Sequence, residues 1–144
     1  ASFAEGIHKL LRELRPARPV DYEVRLDPLL AAALPQDSIA QLLFIAREAL
    51  SNALRHSRAR RIALVLGSTG SEPTFTIEDD GCGFDPAATV GHRGHGLDNM
   101  TRRAEEIGAT LTIESVPGRG TRLRVELPRA GFESAPSFST ASSP

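Results

Sequence analysis

The chain has 144 residues and 15.5 kDa, enough for one domain with a real core, and its 40% hydrophobic and 24% charged residues are ordinary globular composition. A net charge of −1 and a pI near 6.5 exclude a generally basic nucleic-acid binder, and one cysteine, Cys82, excludes a disulfide framework or a cysteine-rich zinc module. The longest apolar run, Leu29 to Leu34, is too short to cross a bilayer, and no charged-then-apolar leader opens the chain, so the expectation is a soluble, cytoplasmic domain without membrane contact. Lys9 is the only lysine among 17 basic residues. Arginine suits bidentate phosphate contact, but a GC-rich genome gives the same excess.

In chain order, Ile7, Leu10, Leu11 and Leu14 fall on one face of a helix over Phe3 to Leu14, stopped by Pro16 and Pro19. Tyr22 to Leu26 alternates as a strand and Pro28 closes it. Pro35, Asp37 and Ser38 mark a helix start, with Asp37 or Ser38 as the capping residue. The stripe Ile39, Leu42, Leu43, Ala46, Leu50, Ala53 and Leu54 carries that helix to about Ser57. Two strands follow, Arg61 to Leu66 and Thr74 to Asp79, joined by a Gly67-Ser-Thr-Gly70 loop. A glycine-punctuated segment leads to a helix carrying Leu97, Met100, Ala104 and Ile107, with Gly108 as its C-terminal cap. Strands at Thr110 to Ser115 and Thr121 to Leu127 flank a Pro117-Gly-Arg-Gly120 turn. Residues 129–144 are rich in Ser, Ala and Pro and are expected to be disordered.

In the last strand Leu123, Val125 and Leu127 oppose Arg122, Arg124 and Glu126, and Phe75 and Ile77 oppose Thr76 and Glu78 in the same way. A sheet with one apolar and one wet face takes helices on a single side. The expected fold is a two-layer α/β sandwich with three helices on one face.

Three constellations carry chemistry. On the central helix Glu48, Asn52 and His56 stand four residues apart with Arg55 beside them, grouped opposite the apolar stripe. A carboxylate, an amide oxygen and a cation one turn apart suit hydrated Mg²⁺ and phosphate, and a solvated face with a helix ion pair is the competing reading. After the second strand comes Asp79-Asp-Gly-Cys-Gly-Phe84. Asp79 shares the parity of Phe75 and Ile77, so its carboxylate points into the apolar layer, where it needs a donor. A purine's exocyclic amine would supply one, and Gly81 and Gly83 would let the backbone approach a flat ring. An acidic turn is the competing reading. Thr121 shares the parity of Leu123 and Val125, although a β-branched residue suits a strand without any further role. The third constellation is Gly91-His-Arg-Gly-His-Gly-Leu97, running into a helix whose N-terminal amides favour an anion. It is neither a Walker A loop nor the dinucleotide fingerprint. His92, His95 and Cys82 do not match a structural zinc spacing.

The order of these motifs resembles the ATP-binding catalytic domain of sensor histidine kinases, within the gyrase, Hsp90, histidine kinase and MutL superfamily. Arg47 to Ser57 resembles the N box, Asp79 to Phe84 the G1 box and Gly94 to Leu97 the G2 box. Met100 through Arg102-Arg-Ala-Glu to Pro117-Gly-Arg-Gly-Thr121 is similar to kinases paired with NarL-type response regulators. The resemblance covers about Tyr22 to Pro128 and implies the Bergerat (GHKL ATPase) fold, a mixed sheet with helices on one face. It implies ATP and Mg²⁺ as cofactors, with Asn52 coordinating the metal between the phosphates and Glu48 beside it, directly or through water, also assisting proton transfer. Arg55 and His56 would contact phosphates or ribose. Asp79 would take the adenine amine, with Thr121 reaching the same site through water. Gly81, Gly83 and Phe84 would border the adenine pocket, Gly94, His95, Gly96 and Leu97 the phosphates, and Phe84 to Arg93 would form a short lid.

Arg55 stands where many such kinases carry lysine. The phosphoacceptor histidine is missing: His8, in Gly-Ile-His-Lys-Leu, lacks the family's acidic neighbour, and a surface histidine is its simpler reading. Residues 1–16 resemble the end of a dimerisation segment, and residues 20–128 the catalytic domain. The resemblance therefore implies part of a longer, homodimeric kinase, with its own phosphoacceptor domain and a NarL-type response regulator as partners. An anti-sigma-factor serine kinase of the same fold, which shares Gly83-Phe-Asp-Pro86, is the alternative function, and a non-catalytic binding module the third.

Overall fold

A computed structural model describes residues 2–16, 18–55, 58–83 and 94–128. The expected lid at 84–93 and the tail at 129–144 lie outside the described residues. The elements in order are α1 (Phe3–Glu13), β1 (Asp21–Leu26), α2 (Pro28–Ala33), α3 (Gln36–Arg55), β2 (Arg61–Thr69), β3 (Glu72–Asp79), α4 (Gly94–Glu105), β4 (Thr110–Ser115) and β5 (Thr121–Glu126). The five strands form one sheet in the order β1-β2-β3-β5-β4. Only β1–β2 is parallel, and its crossover runs through α2 and α3, as a parallel pair requires. The other pairings are antiparallel.

The alternation read from the sequence sets the two faces. Ile62, Leu64, Leu66, Phe75, Ile77, Leu123 and Val125 are buried beneath the helices. On the opposite face Arg122 stands between Glu78 and Glu114 in register and donates to Glu78 Oε2 through Nε at 3.0 Å and Nη2 at 2.9 Å. The expected layers are therefore present.

α3 buries Leu42, Ile45, Ala46 and Leu50 completely, a broader face than the expected stripe because it meets α1, α4 and the sheet. Leu43 turns to α1, where its Cδ1 would lie 2.5 Å from any Cβ at Gly6. Arg47 of α3 also pairs with Glu13 of α1 at 2.8 Å. On the other flank the Arg103 guanidinium lies 4.0 Å over the Phe44 ring, joining α4 to α3. α4 closes with Gly108 at φ 74°, its N–H donating to Glu105 O at 3.0 Å while Ala109 N–H donates to Ala104 O at 2.9 Å, a Schellman motif.

Four local expectations need correction. Pro28 starts a helix instead of merely ending a strand: it occupies the first turn of α2, and the Asp27 carboxylate caps it by accepting from Leu29 N–H at 2.9 Å and Leu30 N–H at 3.3 Å. There are thus four helices among the described residues, not three. α3 begins before Asp37 and Ser38, with the Pro35 carbonyl accepting from Ile39 N–H at 3.0 Å, so Asp37 serves the helix dipole from inside the first turn. The Gly67-Ser-Thr-Gly70 loop is shorter than read, because residues 67–69 stay in the ladder and only Gly70 and Ser71 turn. Finally, Gly94 to Leu97 is the first turn of α4 and does not precede it.

α1 belongs to this core. Its start is closed by a capping box in which Ser2 Oγ accepts from Glu5 N–H and Glu5 Oε1 from Ser2 N–H, both at 3.1 Å. Phe3, Ile7 and Leu10 are buried, and the Phe3 ring meets Phe75 edge-on at 5.2 Å. Phe3→Ala is expected to destabilise the domain by about 3–5 kcal/mol in urea denaturation. An unchanged midpoint would detach α1 from the folded unit.

Candidate functional site

The site is assembled where the sheet ends beyond Asp79. The register aligns Tyr22, Ile62, Asp79, Thr121 and Ser115 in one row across all five strands. Ile62 is buried, so the row faces the helices, as parity requires for Asp79 and Thr121. The Asp79 carboxylate accepts from Gly81 N–H at 2.8 Å, which fixes it at the turn after β3. Thr121 Oγ1 lies 2.8 Å from Ser115 Oγ, which is also 3.2 Å from the Gly120 carbonyl. Asp79, Ser115, Gly120 and Thr121 border an open concavity at the end of the sheet, which Glu78, Glu114 and Arg122 of the opposite face also line.

Glycine is required here by contact as well as by dihedral. Gly83 has φ 64°, and a Cβ there would strike the Val116 carbonyl and come within 2.8 Å of the Gly120 carbonyl. Gly120 has φ 88°, and its Cβ would enter the Asp79 carbonyl oxygen. Gly118 N–H donates to the Cys82 carbonyl, so a main-chain bond holds the segment after β3 against the β4–β5 turn. Gly81 is buried beside it.

Asp80 has a structural role that the sequence reading did not assign. Its Oδ1 accepts from Arg60 N–H at 2.8 Å and Arg61 N–H at 3.0 Å, closing the start of β2 against the end of β3. The bond from Arg61, opposed by slight burial and aided by that from Arg60, holds its carboxyl below the usual aspartate value of 3.8. Tyr22 occupies the far end of the row with its hydroxyl buried and without a partner among the described residues, and burial pushes its pKa up.

A second group lies on the helices. Glu48 and Asn52 are half-buried one turn apart on α3, and Arg55 is exposed in the last turn. Gly96 brings α4 against Glu48: a Cβ at this position would stand 3.0 Å from Glu48 Oε2. The glycine thus places a carboxylate at the first turn of α4, where main-chain N–H groups are unpaired within the helix. Leu97 packs against the core behind them. His56 and Phe84 lie outside the described residues, as does the side chain of His95.

Residues 37–131 match the family described as histidine kinase-, DNA gyrase B- and HSP90-like ATPase. The chain belongs to this family. It is 36% identical over 124 residues to the sensor histidine kinase LiaS of Bacillus subtilis, covering 86% of this chain and 33% of that protein. It is 35% identical over 127 residues to the sensor protein VraS of Staphylococcus saprophyticus, covering 88% and 35%. The chain thus spans about a third of these curated relatives. The histidine kinase domain of a blue-light activated kinase from Erythrobacter litoralis superposes with a TM-score of 0.67 at 20% identity, over 92% of this chain and 59% of that one. The ATP-binding domain of PrrB from Mycobacterium tuberculosis superposes with a TM-score of 0.60 at 26% identity, over 86% and 88%. The five-stranded mixed sheet with its helices is therefore the GHKL ATPase fold that the motifs implied. No helix among the described residues is long and apolar enough to cross a membrane.

Ser115 and Asp80 escaped the sequence reading. For Ser115 a signal existed, since it shares the parity of Leu111 and Ile113. For Asp80 there was none, because its partners are amides 19 and 20 residues away.

Gly120→Ala is expected to cost more than 2 kcal/mol in thermal or urea denaturation, since it combines left-handed strain with a backbone collision. Gly118→Ala, at φ 84° with nothing within 4 Å of its Cβ, should cost only about 1 kcal/mol; equal costs would contradict the packing described. Asp80→Ala should lose about 1 kcal/mol at pH 7, a modest figure because the carboxylate is exposed. With its folded pKa below 3.8, that stability is fully present above this value and disappears as pH falls through the lower folded value. Denaturation midpoints of wild type and variant should therefore converge in strong acid.

Proposed function

We propose that this chain is the ATP-binding catalytic domain of a sensor histidine kinase. In this reading it holds ATP so that the γ-phosphoryl can pass to a histidine on a separate dimerisation segment. The observation that carries the proposal is the row Asp79–Thr121–Ser115 with the Gly81–Gly83 turn packed beside it. A fixed carboxylate acceptor, adjacent hydroxyls and a side-chain-free backbone suit the amine edge and flat face of adenine. The sensor kinases among its relatives favour a histidine acceptor over the anti-sigma-factor serine kinase.

Glu48, Asn52 and the first turn of α4 suit the opposite end of the nucleotide. A half-buried carboxylate and amide oxygen one turn apart are hard oxygen donors of the kind Mg²⁺ takes, and the N–H groups from Gly96 onward would be available to phosphate oxygens. Bound there, Mg²⁺ would neutralise phosphate charge. Glu48 would orient and accept hydrogen bonds from the metal's waters, and Asn52 would hold its amide oxygen toward the same ion. Arg55, His56 and His95 would add positive or donor groups to phosphates or ribose, and Phe84 would close the adenine side. Catalysis then rests on positioning and charge neutralisation, with no covalent step on this chain.

The partners proposed are a dimerisation and phosphoacceptor domain of the same longer protein, acting as a homodimer, and a response regulator of the NarL type. The Arg102-Arg-Ala-Glu105 helix and the Ile113 to Thr121 hairpin support that regulator class. The domain itself would work in the cytoplasm, where ATP is abundant, with α1 packed on its core and leading back toward the dimerisation segment.

The test is titration with ATP and Mg²⁺ by calorimetry. Asp79→Asn is expected to weaken ATP binding about tenfold or more, and Asn52→Ala to weaken the Mg²⁺-dependent part. Incubation with radiolabelled ATP should leave the chain itself essentially unlabelled. Wild-type affinity in Asp79→Asn would remove the adenine assignment.

A further inference from the structure

We propose that Asp80 is a positioning residue for base recognition, holding the Asp79 carboxylate in the direction that takes an exocyclic amine. The inference rests on the nucleotide reading above and adds a residue that reading does not use. The Asp79 carboxylate accepts from Gly81 N–H, two residues on, at 2.8 Å, so the two groups close a short turn with Asp80 at its centre. The direction of the carboxylate therefore follows the backbone angles of Asp80.

The ladders on both sides of β3 end at Asp79, so strand pairing does not fix the next residue. Asp80 is fixed instead by three bonds to the start of β2. Its Oδ1 accepts from Arg60 N–H at 2.8 Å and Arg61 N–H at 3.0 Å, and its own N–H donates to the Arg61 carbonyl at 3.2 Å. The carboxyl is held below its usual value, chiefly by the bond from Arg61, so at neutral pH the two side-chain bonds are charge-assisted. From the β5 side Gly120 presses on the same turn, since a Cβ there would lie 3.2 Å from Asp80 Cα. The centre of the turn is thus bonded to one neighbouring strand and packed against the other. Without the Asp80 carboxylate two of the three bonds to β2 are lost, and Gly81 N–H is released from its fixed place beside Asp79. A carboxylate free to turn binds a donor more weakly than one already aimed, because binding must then stop the motion. The loss falls on the amine contact and spares the ring and the phosphates.

The test compares ATP with purine riboside triphosphate, which lacks only the exocyclic amine, by calorimetry on the full chain with Mg²⁺. Wild type is expected to prefer ATP by about tenfold, the worth of one hydrogen bond to a charged group. Asp80→Ala should lower that preference below about threefold while leaving affinity for the amine-free nucleotide unchanged. Asp80→Asn keeps an acceptor oxygen in the same place without the charge, and should retain most of the preference. If Asp80→Ala fails to melt cooperatively, Asp80→Glu, whose carboxylate stands one methylene further out, replaces it with the same expectation. An unchanged preference, or an equal loss for both nucleotides, overturns the role of Asp80 alone. So does a loss in Asp80→Asn as large as that in Asp80→Ala. Absence of ATP binding by the wild type, or no preference for ATP over the amine-free nucleotide, overturns the nucleotide reading and this inference together.

Discussion

The site depends on two backbones being allowed to touch. The chain leaving β3 after Asp79 lies against the β4–β5 turn so closely that neither Gly83 nor Gly120 has room for a Cβ. Both adopt a left-handed conformation, so their lack of a side chain serves dihedral and packing at once. Through this contact the position of Asp79 is tied to that of Thr121, residues 42 apart in sequence but adjacent in register. Asp80 reinforces the arrangement from the other side by tying the end of β3 to the start of β2. The backbone of Asp79 is thus paired on both sides, with β2 and β5, and its carboxylate is held by the Gly81 N–H; a rigid acceptor costs no reorganisation on meeting its partner.

The rest of the molecule supports that row from one side. α3 carries Glu48 and Asn52, and its own placement is set by α1 on one flank and α4 on the other. Arg103 stacked on Phe44 and the Glu48–Gly96 contact fix α4 at both ends, one through a cation over a ring and the other through the absence of a side chain. The opposite face of the sheet is covered by paired charges such as Arg122 with Glu78, exposed pairs that contribute little to stability individually but keep that face wet. Arginine abundance is partly accounted for here: Arg47, Arg103 and Arg122 each have a defined partner within the domain.

What could be read in advance follows physical range. Parity along a strand is a local property, so the inward direction of Asp79 and Thr121, the two faces of the sheet and the motif order were legible. Gly108 as a cap was legible for the same reason. Pro28 misled because proline both ends a strand and begins a helix, and the Asp27 cap that decides between these was passed over. Asp37 and Ser38 looked like caps by residue type, yet the first bond of α3 goes to the Pro35 carbonyl, which no side-chain rule reports. The contacts between Glu48 and Gly96, and between Gly83 and the β4–β5 turn, join distant segments; no window of sequence contains them. Ser115 was legible by alternation but has a role only beside Thr121, which requires the register.

Among the described residues the sheet is open at both ends, which leaves β1 and β4 as outer strands with no strand on their far side. On β1 the exposed positions are Asp21, Glu23 and Arg25, and on β4 they are Thr110, Thr112 and Glu114. An approaching strand would have to strip water from those charged and hydroxyl groups before it could extend the ladder. The same alternation that directs apolar residues to the helices therefore also discourages edge-to-edge aggregation. Resistance to strand addition, as much as the inward row of Asp79 and Thr121, follows from the two-residue period of these strands.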